Sequence, residues 1–249
     1  MNITVGYNVF IWPPQDWKLL IGGQLQDLAA SGLMRCAQMS IAVTVPEVHP
    51  GYTYLELQLL MEEAVAFIRG QDASRNATII QSHENMYEYP MIHSLYRIAS
   101  NDSDDAVSRN HLFMYFHTNG MVNHGVLTER IDRDIFNATV IPWRGVVQQF
   151  LADDDIRIAG YLPAYPGFIW RNYWWARGDW LKGLPKPPRD PPNRWYYEWW
   201  LSYRSEEVKN RSKVFSTCSC DTNLTALPGI YRGHIDCVYL EWTPDRCML

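Results

Sequence analysis

With 249 residues, 47% of them hydrophobic, the chain has apolar material for one large α/β domain or two small ones, which excludes wholesale disorder. A formal charge of -5 and the lack of any basic tract exclude nucleic acid as the main partner. No run of about 18 apolar residues occurs, so no membrane-spanning helix is expected. The opening Met-Asn-Ile-Thr-Val-Gly-Tyr also lacks the basic region and apolar stretch of a signal peptide.

Residues 3–12 read as a first strand, because Ile3, Val5, Tyr7, Val9 and Ile11 alternate until Pro13 and Pro14 stop it. Asp16 can cap a helix from Trp17, with Trp17, Leu20, Ile21, Gln24, Leu25 and Leu28 on one stripe and Gly32 as its stop. Gly22 and Gly23 weaken the case for an unbroken helix. Residues 39–45 form an apolar second strand. Residues 54–69 form a helix with Leu55, Leu59 and Ala66 inward and Glu56, Glu62 and Glu63 outward.

Residues 77–81 are a third strand, 89–99 a helix with Pro90 in its first turn, 100–109 a polar loop and 112–116 a fourth strand. A helix over 142–151, a strand over 156–162, a last strand over 168–176 and a short helix over 177–184 follow. Five prolines from Pro185 to Pro192 form a stiff elbow before a helix over 195–203. Alternating strands and helices imply an α/β fold with a mostly parallel central sheet covered on both faces. The tail from 209 reads as irregular with short strands, such as 238–242.

Cys36 stands apart from Cys218, Cys220, Cys237 and Cys247, for which disulfides or a zinc site with His234 both fit. Six sequons, at Asn2, Asn76, Asn101, Asn137, Asn210 and Asn223, use six of 13 asparagines. They lean toward a secretory lumen and leave the cytoplasm open.

Seven of the 11 tryptophans (Trp170, Trp174, Trp175, Trp180, Trp195, Trp199 and Trp200) crowd one stretch, with Arg171, Asn172, Asp179 and Glu198 among them. Apolar walls with few polar groups suit a small-molecule site, and aromatic faces stack on sugars; an aromatic core reads the same way. Ligands of open parallel sheets bind beyond the carboxyl ends of strands, which points to His117-Thr118-Asn119-Gly120 after the fourth strand. His117 is there a metal ligand or phosphate donor, or simply ends the strand in an ordinary turn. The triplets Asp102–Asp104, Asp132–Asp134 and Asp153–Asp155 can hold Mg²⁺ or Mn²⁺ against a diphosphate, but read better as solvated loop charge. Glu198, in an aromatic setting that raises basicity, is a candidate general base, or else a partner of Arg194.

Six tracts then occur in one order: Asp16-Trp17-Lys18 with Ser31-Gly32-Leu33; Glu84-Asn85-Met86-Tyr87-Glu88-Tyr89-Pro90; Tyr115-Phe116-His117-Thr118-Asn119-Gly120; Trp143-Arg144; Arg171-Asn172-Tyr173-Trp174-Trp175-Ala176; and Arg194 to Trp199. This order resembles a family of small glycosyltransferases of viruses and bacteria. The resemblance implies a GT-A-like single domain over residues 1–208. Residues 1–120 would be its nucleotide-sugar-binding half and 121–208 its acceptor half, with the cysteine-containing tail 209–249 packed on it.

It further implies transfer, inverting in outcome, from a UDP- or GDP-sugar to a glycan or other hydroxyl acceptor. The base would lie near Tyr7, Asn8 and Phe10. His117, Thr118, Asn119, Gly120, Arg171, Asn172, Trp174 and Trp175 would line the donor and sugar, with Trp199 also stacking. His117 with Mn²⁺ or Mg²⁺, Arg171 or both would neutralise the diphosphate, and Glu198 would deprotonate the acceptor. The family lysine is Asn119 here and a family glycine is Arg171. Those departures also fit a carbohydrate-binding protein that has lost catalysis.

Overall fold

The computed structural model describes residues 1–13, 15–101, 104–118, 133, 135–161, 163–164, 168–193, 195–203 and 214–216. Its main sheet contains β1 (Asn2–Phe10), β2 (Gln38–Thr44), β3 (Thr78–Ser82), β4 (His111–His117), β5 (Ile158–Gly160), β8 (Trp174–Arg177) and β9 (Val214–Ser216), in the order β3-β2-β1-β4-β8-β5-β9. Neighbours pair in parallel, except that β8 runs antiparallel to both β4 and β5. A separate hairpin joins β6 (Pro163–Ala164) to β7 (Phe168–Ile169). The sheet crosses from one expected half into the other without a break, since β4 pairs with β8. Of the tail, only β9 lies within the described residues; the four C-terminal cysteines and His234 lie outside them.

The first helix forms where its caps and stripe place it. In α1 (Trp17–Ser31), Asp16 accepts the Leu19 N–H, and Gly32 takes the left-handed conformation at φ 76° that lets the chain leave the helix. Gly22 and Gly23 do not interrupt it, because Trp17, Ile21, Gln24, Leu25 and Leu28 are buried against the sheet. The second helix corrects the sequence reading. In α2 (Tyr54–Arg69), Leu57, Met61, Ala64, Val65 and Ile68 face the core, while Leu55 and Leu59 are 66% and 54% exposed and Ala66 is exposed. The buried set repeats at i, i+4, i+7, i+8 and i+11, as good a helical stripe as the one first read. The Thr53–Glu56 capping box fixes where the helix starts.

The remaining helices complete two layers. α3 (Tyr89–Asn101), α6 (Gly178–Lys182) and α7 (Tyr196–Trp199) cover one face of the sheet; α1, α2 and α5 (Trp143–Ala152) cover the other. The polar loop expected over 100–109 instead holds α4 (Asp105–Arg109), capped by Asp104. The expected last strand is broken. Arg171 and Asn172 have φ of 65° and 55°, so the chain turns between β7 and β8. Hydropathy could not show this, because the residues on both sides of the turn are equally apolar. Gly160 lets that turn lie against β5, since a Cβ there would meet Ile169 Cγ2 at 2.4 Å and the Tyr173 carbonyl at 3.0 Å.

Arg177 locks β8 in place from below. The side chain is 1% exposed, and its guanidinium donates to the carbonyls of Ile156 (2.7 Å), Arg109 (3.1 Å), Asp153 (3.1 Å) and Phe150. A planar cation with five donors satisfies several strand and helix ends at once.

The α2 reassignment has a direct check. Leu57→Ala is expected to cost about 2–5 kcal/mol and Leu55→Ala within about 0.5 kcal/mol, read from urea denaturation midpoints. The reverse ranking would return the helix to the face read from the sequence.

Candidate functional site

In an order of β3-β2-β1-β4 the connections reverse between β1 and β4, and ligands of such sheets lie beyond the carboxyl ends of those two strands. Register sets which side chains meet there. Asn8 is opposite His117 and Tyr7 opposite Phe116, so Asn8, Tyr115 and His117 share the α3 face while Tyr7 and Phe116 point to the other. Thr118 holds the two strand ends together. Its N–H donates to the Asn8 carbonyl (3.0 Å), and its hydroxyl accepts the Phe10 N–H (2.8 Å) and donates to the Phe10 carbonyl (3.3 Å).

His117 fastens the turn after β7. Its Nε2–H donates to the Arg171 carbonyl at 2.9 Å, and the Tyr173 hydroxyl donates to the His117 carbonyl at 2.6 Å. The residue as a whole is partly exposed, yet desolvation of the imidazole lowers its pKa to about 4. The Arg171 hydrogen bond opposes that shift and the Arg171 charge adds to it. The imidazole is therefore neutral at neutral pH. The Trp174 Nε1–H donates to Asn172 Oδ1 at 2.8 Å and fixes the second left-handed residue. Arg171 is partly exposed, and among the described residues no hydrogen bond or ion pair engages its guanidinium.

Tyr115 lies at the centre. Its ring stacks on Trp174 (5.2 Å between centroids) and lies 5.9 Å from His117. Burial holds its hydroxyl well above its ordinary pKa, reinforced in turn by Glu88, Tyr173 and Glu198. The hydroxyl thus keeps its proton. Glu198 is half-buried on α7, which packs against the Arg171 turn.

The proline elbow brings α7 there. Proline has no N–H but keeps its carbonyl, and the Tyr197 hydroxyl donates to the Pro188 carbonyl (2.5 Å) and the Trp200 Nε1–H to the Pro185 carbonyl (2.9 Å). An Arg189–Glu84 ion pair ties the elbow to the segment before α3.

Of the nine buried side-chain polar atoms without a hydrogen-bond partner among the described residues, five lie at this edge. Asn8 Oδ1, Tyr115 Oη and Asn172 Nδ2 all lie there, with Thr44 Oγ1 and His83 Nδ1 at the ends of the neighbouring strands. Such orphaned groups are rare in folded proteins and mark places where water, an ion or a ligand completes the bonding.

The expected site residues thus separate. Asn8, His117, Arg171, Asn172 and Glu198 come to the same edge and face. Tyr7 is fully buried on the opposite face and donates to Gln24 Oε1 (2.5 Å), so it is a core residue rather than part of a base site. Trp174 and Trp175 are fully buried too, Trp175 donating to the Thr139 carbonyl (2.8 Å), and neither ring offers a face to a sugar. The aromatic surface at this edge belongs to Trp195 and Trp199, 50% and 44% exposed.

Phe10 is partly exposed and stacks on Trp12, which meets His49 edge-on (4.4 Å), a grouping the sequence reading missed. Asp179 lies at the far edge, paired with Arg157 (3.2 Å) and Arg109 (3.4 Å). Asn119, Gly120, Arg194, Asp102, Asp132 and Asp134 lie outside the described residues. Asp104 caps α4, and Asp153, Asp154 and Asp155 are exposed.

Glu88 and Tyr115 were also missed. Tyr115 was accessible through alternation, two residues before His117; Glu88 lies inside the tract before Pro90 and carries no periodic signal. Among the described residues no group of three or more His, Cys, Asp or Glu side chains assembles a metal site. The chain matches no protein-family model, no curated protein and no solved structure, and among the described residues no helix is long and apolar enough to cross a membrane.

The His117 environment has a pH consequence. Its folded pKa lies below the ordinary 6.5, so its contribution to stability is complete above pH 6.5 and is lost progressively as the pH falls to about 4. In His117→Gln, unfolding free energies from urea melts at stepped pH are expected to depend less on pH across that window. An unchanged slope would mean that the imidazole titrates alike in folded and unfolded chains.

Proposed function

We propose that the chain is a GT-A-type glycosyltransferase whose nucleotide diphosphate sugar lies across the carboxyl ends of β1 and β4. The observation that carries this reading is the packing of α7, which holds Glu198, against the Arg171 turn that His117 fastens to the end of β4. The end of β4, at His117, and the helix that holds Glu198 both meet the Arg171 turn, at one edge and one face of the sheet.

The chemistry assigns each group a task. Arg171 supplies the positive charge that a departing diphosphate needs, in place of a lysine at position 119. His117, neutral, supplies no charge; by donating to the Arg171 carbonyl it sets the direction of that turn. The acceptor hydroxyl attacks the anomeric carbon, the bond from that carbon to the diphosphate oxygen breaks, and the hydroxyl proton passes to Glu198. Trp195 and Trp199 offer the faces on which an acceptor sugar stacks. Among the described residues no group of three or more His, Cys, Asp or Glu side chains is placed to hold a resident Mn²⁺ or Mg²⁺.

Two variants test the roles separately. Glu198→Gln is expected to lower transfer by at least about 100-fold while nucleotide-induced stabilisation stays unchanged. Arg171→Gly is expected to keep stability within about 1 kcal/mol, because glycine accepts a φ of 65° without strain, and to weaken UDP or GDP binding roughly 10-fold or more. Thermal-shift measurements with UDP, GDP and their sugars read the binding, and nucleotide release from the sugar donors in the presence of acceptor reads the transfer. Glycan binding with no nucleotide affinity would favour a carbohydrate-binding protein without catalysis; full turnover in Glu198→Gln would remove that residue from the mechanism.

A further inference from the structure

We propose that Asn76, Asn101 and Asn137 are N-glycan acceptors, and that the carbohydrate they carry covers surfaces away from the carboxyl edge of the α3 face. Each opens an Asn-x-Thr or Asn-x-Ser sequon, and the catalytic reading uses none of them. The folded chain can carry a bulky glycan only at an asparagine on its surface, and all three are exposed, as is Asn2, the other sequon asparagine among the described residues.

None of the three lies on the α3 face at the carboxyl edge. Asn76 lies in the turn before β3. Asn101 ends α3 after that helix has run back from the carboxyl edge at Tyr89. Asn2 opens β1, its N–H donating to the Asn110 carbonyl at 3.1 Å. These three positions share the amino edge of the parallel strands. Asn137 lies in the other helical layer: its neighbour Phe136 packs edge-on against Phe116 (5.3 Å), and the Thr139 carbonyl accepts from Trp175. The asparagines at the carboxyl edge behave oppositely. Asn8, Asn85 and Asn172 are followed at the second position by Phe10, Tyr87 and Trp174, so none can be modified. The segregation leaves the candidate site clear of a bulky, hydrated substituent.

An independent feature points to the same compartment. Cys36 is disulfide-bonded, its partner lying outside the described residues. Disulfides persist where the surroundings oxidise, as in the lumen where oligosaccharide transfer occurs. In that transfer the asparagine amide nitrogen attacks the anomeric carbon of a polyprenyl-diphosphate oligosaccharide. The N–C bond forms, the C–O bond to the diphosphate breaks, the amide proton goes to a base of the transferring enzyme, and polyprenyl diphosphate leaves.

The test directs the full chain into the secretory pathway of a eukaryotic host and pools retained and secreted protein. Peptide N-glycosidase in heavy-oxygen water then converts each used asparagine to a labelled aspartate. Labelling at two or more of Asn76, Asn101 and Asn137 is expected; labelling at one or none overturns the assignment. Acrylamide quenching of tryptophan fluorescence, with Trp195 and Trp199 exposed, checks the placement on native protein before and after glycan removal. Unchanged quenching is expected, and a rise on removal would show carbohydrate over that edge. Neither readout depends on whether the chain transfers sugar.

Discussion

Two consecutive residues in the left-handed conformation, Arg171 and Asn172, set the geometry on which the site depends. Each non-glycine residue held there costs on the order of 1 kcal/mol or more, so neighbours must over-determine the conformation. His117 does so from β4 and Trp174 from β8, through one hydrogen bond each. The neutrality of His117 belongs to the same arrangement. A protonated imidazole would put a second positive charge against Arg171, and burial prevents it. The bend that breaks an otherwise apolar strand thus also presents a guanidinium at the sheet's carboxyl edge.

Much of the architecture was legible because it follows from period and punctuation. The alternation of Ile3, Val5, Tyr7 and Val9, the Asp16 cap and the Gly32 stop have local causes, and the local causes prevailed. Where two readings were equally periodic, as in α2, only packing decides. Leu55 and Leu59 lost to Leu57 and Met61 because the sheet lies on that side. The aromatic stretch divided for a related reason: composition cannot tell a Trp174 sealed under Tyr115 from a Trp199 left outside. Positive φ at Arg171 leaves no mark in hydropathy, and the four-carbonyl grip of Arg177 joins segments distant in sequence.

The aromatic helix illustrates how a segment poor in donors can still be held. Pro185 and Pro188 contribute carbonyls only, and the tryptophan and tyrosine that follow supply the missing hydrogens. The elbow and α7 therefore specify one another. Glu198 is carried to the Arg171 turn by this mutual fit rather than by a strand of the sheet.

The antiparallel insertion of β8 between β4 and β5 has a consequence for dissecting the molecule. A fragment ending near residue 120 would expose the outer edge of β4, which β8 covers over residues 112–115, as an unpaired, strongly apolar border, a template for intermolecular aggregation. The remainder would hold β8 and β5 with nothing to receive them. Each piece would hold only part of one continuous sheet.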